Sequence, residues 1–319
     1  MKYLRIFETD GDYQSYIGGG NDYVTPHVAL IKDNYDVKYQ KKIFDSTDDY
    51  LTIEALEDDL TVSFSMNTIQ YSTDNCQTWN ELPADTATPV INSGDKISFK
   101  ATGLVPEEYD GIGTFTVNKK FNLKGNVMSM LFGDEGKNSY DLTGYDGAFQ
   151  ELFALCDTLQ SVSEDFLPAT TLVYSCYIGM FAGCTSLVNA PELPATTLAN
   201  YCYIGMFRSC SSLVTAPELP ATTLAYSCYN SMFYGCSSLV TAPELPATTL
   251  AEECYGYMFY GCTSLNYIKA LFTTKPSTTY TSDWVKGVSS TGTFVKNASA
   301  TWDVTGVNGI PEGWTVETA

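Results

Sequence analysis

Three glutamates recur at a fixed spacing, Glu192, Glu218 and Glu244, each 26 residues from the next. If the copies around them stack like parallel strands, these carboxylates lie about 5 Å apart, close to the spacing of a retaining glycosidase pair. A glycosidase, however, needs two carboxylates in different environments, and a ladder of equivalent positions offers one. Like charges stacked in this way are tolerated when solvated, so an exposed row is expected. Cysteines follow the same period: Cys176/Cys184, Cys202/Cys210, Cys228/Cys236 and Cys254/Cys262 are pairs spaced by 8. Metal sites want cysteines only a few residues apart, with histidine common among the ligands. Eight residues along a helix span about 12 Å, too far for a disulfide. Equivalent cysteines of adjacent copies come close enough but point in parallel. The expectation is two ladders of free thiols acting as small buried apolar groups.

Other reactive residues are few. The chain has one histidine, His27, and two arginines, Arg5 and Arg208. That excludes most acid–base and phosphoryl-transfer chemistry. His27 follows Pro26 in a strand-like run with no evident Ser or Cys partner. Asp10-Gly11-Asp12 and Asp33-Asn34-Tyr35-Asp36 lack the ligand spacing of a calcium loop. Ser72-Thr73-Asp74-Asn75-Cys76-Gln77-Thr78-Trp79 resembles the Asp-box of sialidases, with Cys76 at the glycine position. Its role there is structural, a hairpin closed by Ser and Asp side chains, and a sialidase also needs several boxes and an arginine cluster. No catalytic residue, cofactor or metal site is expected.

Charge excludes further classes. Lys and Arg number 17 against 37 Asp and Glu, a net charge of −20. Such a field repels phosphate, so neither nucleic acid nor an anionic membrane is an expected partner. No stretch reaches the roughly 18 apolar residues of a membrane helix. The opening Met-Lys-Tyr-Leu-Arg-Ile-Phe-Glu-Thr-Asp lacks the apolar core of an export signal. Assembly in the cytoplasm is expected, with a trimmed export segment as the alternative.

The elements that position these residues are repeats. The chain reads LPATTLVYSCYIGMFAGCTSLVNAPE from Leu167, and close copies begin at Leu193, Leu219 and Leu245. A degenerate copy precedes them, with Phe153, Cys156 and Leu159 in the places of Phe181, Cys184 and Leu187. A fixed period of 26 falls in the range of leucine-rich repeats. Leu172, Cys176, Met180 and Cys184, flanked by Tyr177 and Phe181, form an apolar stripe that predicts a short helix. Thr170 or Thr171 would cap it and Gly183 would end it. The following TSLVNAPELP suits a short strand closed by a turn, with Pro191 and Pro194 preventing continuation.

The cores Met180–Leu187, Met232–Leu239 and Met258–Leu265, reading Met-Phe-x-Gly-Cys-x-Ser-Leu, resemble the BspA-like leucine-rich repeats. That family occurs in surface proteins of gut and oral anaerobes and in their phages. The resemblance covers about residues 121–315, flanking caps included. The copy is longer than the family's common form, and Met206–Cys210 reads Met-Phe-Arg-Ser-Cys. The resemblance implies a curved solenoid used for adhesion or partner recognition, without catalysis.

At 319 residues the chain exceeds the roughly 250–300 at which one core stops growing, so two or three units are expected. The expected fold is mixed β and α/β, an antiparallel β-rich N-terminal region followed by a leucine-rich-repeat-type solenoid of 26-residue coils. Residues 1–42, with YLRIF, HVALI and the Gly18-Gly19-Gly20 loop, form a small β-rich attachment segment. Residues 43–126 hold several short strand patterns between turn residues and form an antiparallel β-sandwich-like domain. The solenoid with its leading cap occupies 127–265. A C-terminal cap occupies 266–319, with a short helix over Thr281–Val288, closing strands GTFVKN and GWTVETA, and Trp284, Trp302 and Trp314 over the last coil.

Positions that vary between copies are those the core does not need. They include Tyr174, Tyr201, Tyr226, Tyr234, Tyr257, Tyr260 and Arg208, the candidate partner-binding residues; the constant Tyr177, Tyr203, Tyr229 and Tyr255 are packing ladders. Tyrosine gives contact area with a polar tip at low entropic cost; the equal alternative is that the stacked rings only rigidify the solenoid. The expected partner is a protein or glycan on a host-cell surface. The expected setting is a phage virion, as a fibre or a capsid or tail decoration, assembled on the larger particle through the N-terminal region and compatible with homo-oligomers. A bacterial cell-surface adhesin is the alternative, and a glycan-active enzyme the less favoured third.

Overall fold

The computed structural model describes residues 5–7, 29–33, 36–41, 46–107 and 111–319. His27, the Gly18-Gly19-Gly20 loop and Asp10-Gly11-Asp12 lie outside the described residues. Three strands come first: β1 (Arg5–Phe7), β2 (Ala29–Asp33) and β3 (Asp36–Lys41). β2 and β3 are antiparallel, with Asp33 paired to Asp36. β1 pairs with β2 in parallel, a departure from the antiparallel arrangement expected.

Next come β4 (Leu51–Ala55), β5 (Val62–Phe64), β6 (Ile69–Ser72), β7 (Asn80–Leu82), β8 (Lys96–Lys100), β9 (Phe115–Val117), β10 (Phe121–Lys124) and β11 (Leu159–Val162). β10, β4, β8, β6 and β7 form an antiparallel run, and β11 extends it as a parallel partner of β10; β5 and β9 form a separate two-stranded sheet. Alternating apolar residues turn Ile53, Ile97, Phe99, Phe121 and Leu123 inward. The short helix α1 (Ser129–Phe132) is pinned to the sheet by Ser129, whose hydroxyl accepts from Leu51 N and donates to Phe99 O, both at 2.9 Å.

The expected solenoid of leucine-rich-repeat type is overturned. A leucine-rich repeat carries a strand and a helical segment in each coil, whereas no helix and no multi-residue strand is formed between Leu167 and Leu265. Each copy is instead a run of tight turns. A left-handed residue recurs at every fourth place: Ser175 (φ 59°), Gly179 (56°) and Gly183 (77°), then Tyr201 (62°), Gly205 (58°) and Ser209 (62°). Alternate amides bond within the copy, as from Ile178 N to Ser175 O (3.2 Å) and Ala182 N to Gly179 O (2.8 Å). The amides between them donate to the next copy: Tyr177 N to Cys202 O (3.0 Å), Gly179 N to Ile204 O (2.8 Å) and Phe181 N to Met206 O (3.0 Å). The strand segments are reduced to single parallel bridges, Ser161 to Asn189 to Thr215 to Thr241 to Tyr267. Pro191, Pro217 and Pro243 lack the amide that a longer ladder needs.

The spacing explains the difference. The apolar pairs Cys176-Tyr177 and Met180-Phe181, followed by Cys184, repeat every four residues. An α-helix advances by 3.6 per turn, so such a stripe drifts about 40° at each step. A four-residue turn with one left-handed residue does not drift, and it keeps the whole set on the inner side. Half of its backbone donors bond to a neighbour, so each copy depends on the next.

Two aromatic columns run through the interior. Phe115, Phe153, Phe181, Phe207, Phe233 and Phe259 stack at 5.0–6.1 Å between centroids. Phe149, Tyr177, Tyr203, Tyr229 and Tyr255 stack beside them at 5.6–6.1 Å. The first column links the β-sheets to the copies, and Trp284 closes both. The thiols of Cys156, Cys184, Cys210, Cys236 and Cys262 donate at 3.0–3.3 Å to the carbonyls of Phe115, Phe153, Phe181, Phe207 and Phe233. Cysteine is thus a small core residue that also satisfies a backbone acceptor.

At the C-terminal end β12 (Tyr267–Ala270), β13 (Thr293–Lys296) and β14 (Thr315–Thr318) form a parallel sheet. The helix expected over Thr281–Val288 is not there. Helix α2 (Thr278–Thr281) ends where it was to begin, and turns follow, with Asp283 and Gly287 left-handed as in the copies. The ring nitrogens of Trp284, Trp302 and Trp314 donate to Gly309 O, Phe272 O and Ser289 O at 2.8–3.3 Å.

Candidate functional site

The turn run turns the Cys-Tyr and Met-Phe pairs inward and leaves one or two residues of each four less than fully buried, and the register lines up equivalent positions of successive copies. The seven singled-out residues fall into two separate rows. In the first, Tyr174, Tyr201 and Tyr226 meet edge to face, with centroids 5.2 and 5.0 Å apart and ring planes at 75° and 82°. Tyr174 and Tyr226 occupy one position of the copy and Tyr201 the next, and this offset prevents parallel stacking. Tyr174 is 50% exposed. Hydrogen bonding to Tyr226 raises the Tyr201 pKa above the usual phenol value. In the following copy the same two positions hold Glu252 and Glu253, and Glu253 accepts from the Ser227 hydroxyl at 3.0 Å. This row is aromatic with an acidic end.

The second row has the opposite charge. Arg208, Tyr234 and Tyr260 occupy one position in three successive copies, and Lys286, 26 residues further on in the C-terminal cap, continues the series. Tyr234 and Tyr260 stack at 4.7 Å, 2° from parallel. The Arg208 guanidinium lies 5.1 Å from the Tyr234 centroid and Lys286 Nζ 5.4 Å from that of Tyr260. Both are cation–π contacts. Tyr257 stands beside Tyr260 with centroids 6.3 Å apart. Its φ of 55° is a strained value where two sister copies carry Gly179 and Gly205.

Glu192, Glu218 and Glu244 are all exposed, and Glu244 pairs with Lys269 at 2.8 Å. Among the described residues no group of three His, Cys, Asp or Glu is placed to hold a metal ion. All ten cysteines are free thiols, and nine are buried. Burial pushes the Cys176, Cys228 and Cys262 thiols up to about 12, far from any nucleophilic role at neutral pH.

The Asp-box-like segment is a self-contained turn between β6 and β7. Asp74 Oδ1 accepts from the Ser72 hydroxyl (2.7 Å), Gln77 N (3.1 Å) and Thr78 N (2.9 Å), and Asp74 Oδ2 accepts from the Thr78 hydroxyl (2.6 Å). Cys76, in the glycine place, is left-handed at φ 64°. Trp79 packs against Tyr50 and under Lys100, whose Nζ is 4.3 Å from the Trp79 ring and 2.6 Å from Asp134.

An open groove of about 690 Å³, which sequence reasoning missed, lies where β10 and β11 meet the first copies, lined by Lys124, Ser161, Ser163, Asn189 and Thr215 among others. It exists only because β11 joins both the antiparallel sheet and the ladder of bridges. Its one trace in the sequence is the series of small polar residues Ser161, Asn189, Thr215 and Thr241 along that ladder.

The stacked turn copies thus carry two aromatic rows on their outer side. No protein-family model, no curated protein and no solved structure matches the chain. Among the described residues no helix is long and apolar enough to cross a membrane.

Proposed function

We propose that this is a non-enzymatic interaction protein whose repeat surface recognises a host-cell surface, as a fibre or a capsid or tail decoration of a phage virion. One observation carries the reading: the inner Cys, Tyr, Met and Phe positions are constant from copy to copy and fully packed, while the outer positions vary and collect tyrosines into aligned rows. A core alone requires no tyrosine at a half-exposed position such as Tyr174. Exposed aromatics in a rigid frame give contact area with little ordering cost. The resemblance of the repeat cores to BspA-like sequences points the same way, towards surfaces of gut and oral anaerobes and their phages.

The test combines binding with stability. Tyr174→Ala with Tyr226→Ala should weaken binding to host-cell envelopes at least about tenfold, the equivalent of 1.4 kcal/mol, and leave the thermal midpoint nearly unchanged. Equal losses of binding and stability would mean that the row only stiffens the fold. Antibody labelling of purified particles tests the virion setting, and unlabelled particles overturn it.

A further inference from the structure

The two tyrosine rows differ in what they offer. In the edge-to-face row some ring faces are open. In the column Arg208–Tyr234–Tyr260–Lys286 the faces are taken, since each ring is covered by the other ring and by a cation. The column's polar groups are a guanidinium, two phenol hydroxyls and an ammonium, with Arg208 and Lys286 exposed and Tyr234 and Tyr260 half-buried. Lys286 is partly neutralised by Asp283 at 3.1 Å. Arg208 is exposed, and none of the ion pairs among the described residues includes it. In a chain of net charge −20 with two arginines, an outward guanidinium held by a ring and without a carboxylate is placed to meet an external one.

We propose that this column binds a linear acidic polysaccharide, carboxylates meeting Arg208 and Lys286 and sugar hydroxyls bonding with Tyr234 and Tyr260. The proposal rests on the contact-protein reading and names its ligand class. The order of groups carries the choice: cations stand at the two ends and neutral donor–acceptor hydroxyls between them, which matches carboxylates separated along a chain rich in hydroxyls. Stacking fixes the tyrosine rings, so their hydroxyls are presented without further ordering. A polyphosphate is disfavoured, because its dense charge meets the acidic field of the whole molecule.

Isothermal titration of the full chain with oligogalacturonate, and with its fully methyl-esterified form as the uncharged control, tests this. The acid form should bind and the ester should not, and binding should weaken as salt screens the contact. Arg208→Gln should lower affinity at least tenfold. Tyr234→Phe with Tyr260→Phe, which keeps the stack and removes the hydroxyls, should lower it severalfold, with the thermal midpoint unmoved in each variant. Tyr174→Ala with Tyr226→Ala should leave this affinity intact. Equal binding of acid and ester overturns the proposal, as does unchanged affinity in Arg208→Gln. So does failure to bind oligogalacturonate, oligoguluronate and polysialate alike. Host envelopes bound while all three acidic sugars are ignored would sink the ligand class and spare the contact-protein reading. Acidic sugars bound at the column without adhesion to any envelope would do the reverse.

Discussion

Replacing Gly205 by alanine separates the turn architecture from a helix by the sign of its effect. Gly205 sits in the middle of a copy with φ 58°, donates to Asn230 O at 2.9 Å and accepts from Arg208 N at 2.9 Å. A Cβ there would meet nothing nearer than Arg208 Cβ at 3.8 Å, so no clash contributes. The left-handed backbone costs an alanine about 1–2 kcal/mol, and the stiffer unfolded chain returns about 0.4–1 kcal/mol. The net expectation is a loss of roughly 0–1.6 kcal/mol, centred near 0.8 kcal/mol. In a helix interior the same change gains about 0.8–1 kcal/mol. Urea unfolding followed by circular dichroism reads the difference directly, provided the slope with denaturant is unchanged. A lower midpoint for Gly205→Ala is expected. A raised midpoint would refute the four-residue turn and restore the helix. Ser231 and Tyr257 occupy the same place in later copies at φ 57° and 55°, so the alanine is expected to be tolerated at a cost.

Phe207, buried between Phe181 and Phe233 at 5.7 Å from each, should cost about 3–5 kcal/mol as Phe207→Ala; a loss below about 1 kcal/mol in the same unfolding assay would show that the column is not a stabilising spine. At pH 8 only the half-buried Cys76 should react with a thiol reagent in the folded protein, and all ten cysteines after denaturation; fewer than ten would reveal disulfides. Burial raises the folded pKa of Cys176, Cys228 and Cys262 from 9.0 to about 12, so their contribution to stability is complete below pH 9 and is lost as pH climbs towards 12. Hydrogen bonds, first from the Thr78 hydroxyl, lower Asp74 from 3.8 to about 2, so its contribution is present above 3.8 and is lost as pH falls through 2. A carboxyl titration of Asp74 by NMR should show that low midpoint, and one at or above 3.8 would mean the turn is open.

Much of the local plan is legible in the sequence, but the helices inferred from it are not formed. Copies and register follow from Leu167, Leu193, Leu219 and Leu245, and the division of tyrosines into constant and varying positions follows from aligning them. The stripe of Cys176, Met180 and Cys184 suggests a helix because a period of four lies close to 3.6. The decisive sign was the companion series Ser175, Gly179 and Gly183, one left-handed place in every four. Gly179 and Gly183 alone point to it, whereas Tyr201 and Glu253 in the same series hide it. The C-terminal helix failed for the same reason, as Asp283 and Gly287 continue the turns.

The sequence by itself determined the period, the inner set of Cys, Tyr, Met and Phe, the acidic surface and the pool from which a contact face could be drawn, because each of these depends on residue type and spacing along the chain. Only the tertiary structure decided that alternate amides bond to the neighbouring copy, that the tyrosines divide into an acid-ended row and a cation-flanked column, and that β11 opens a groove beside the copies. Those outcomes depend on which residues from different copies come to lie side by side, and the energy that places them there comes from the shared aromatic columns.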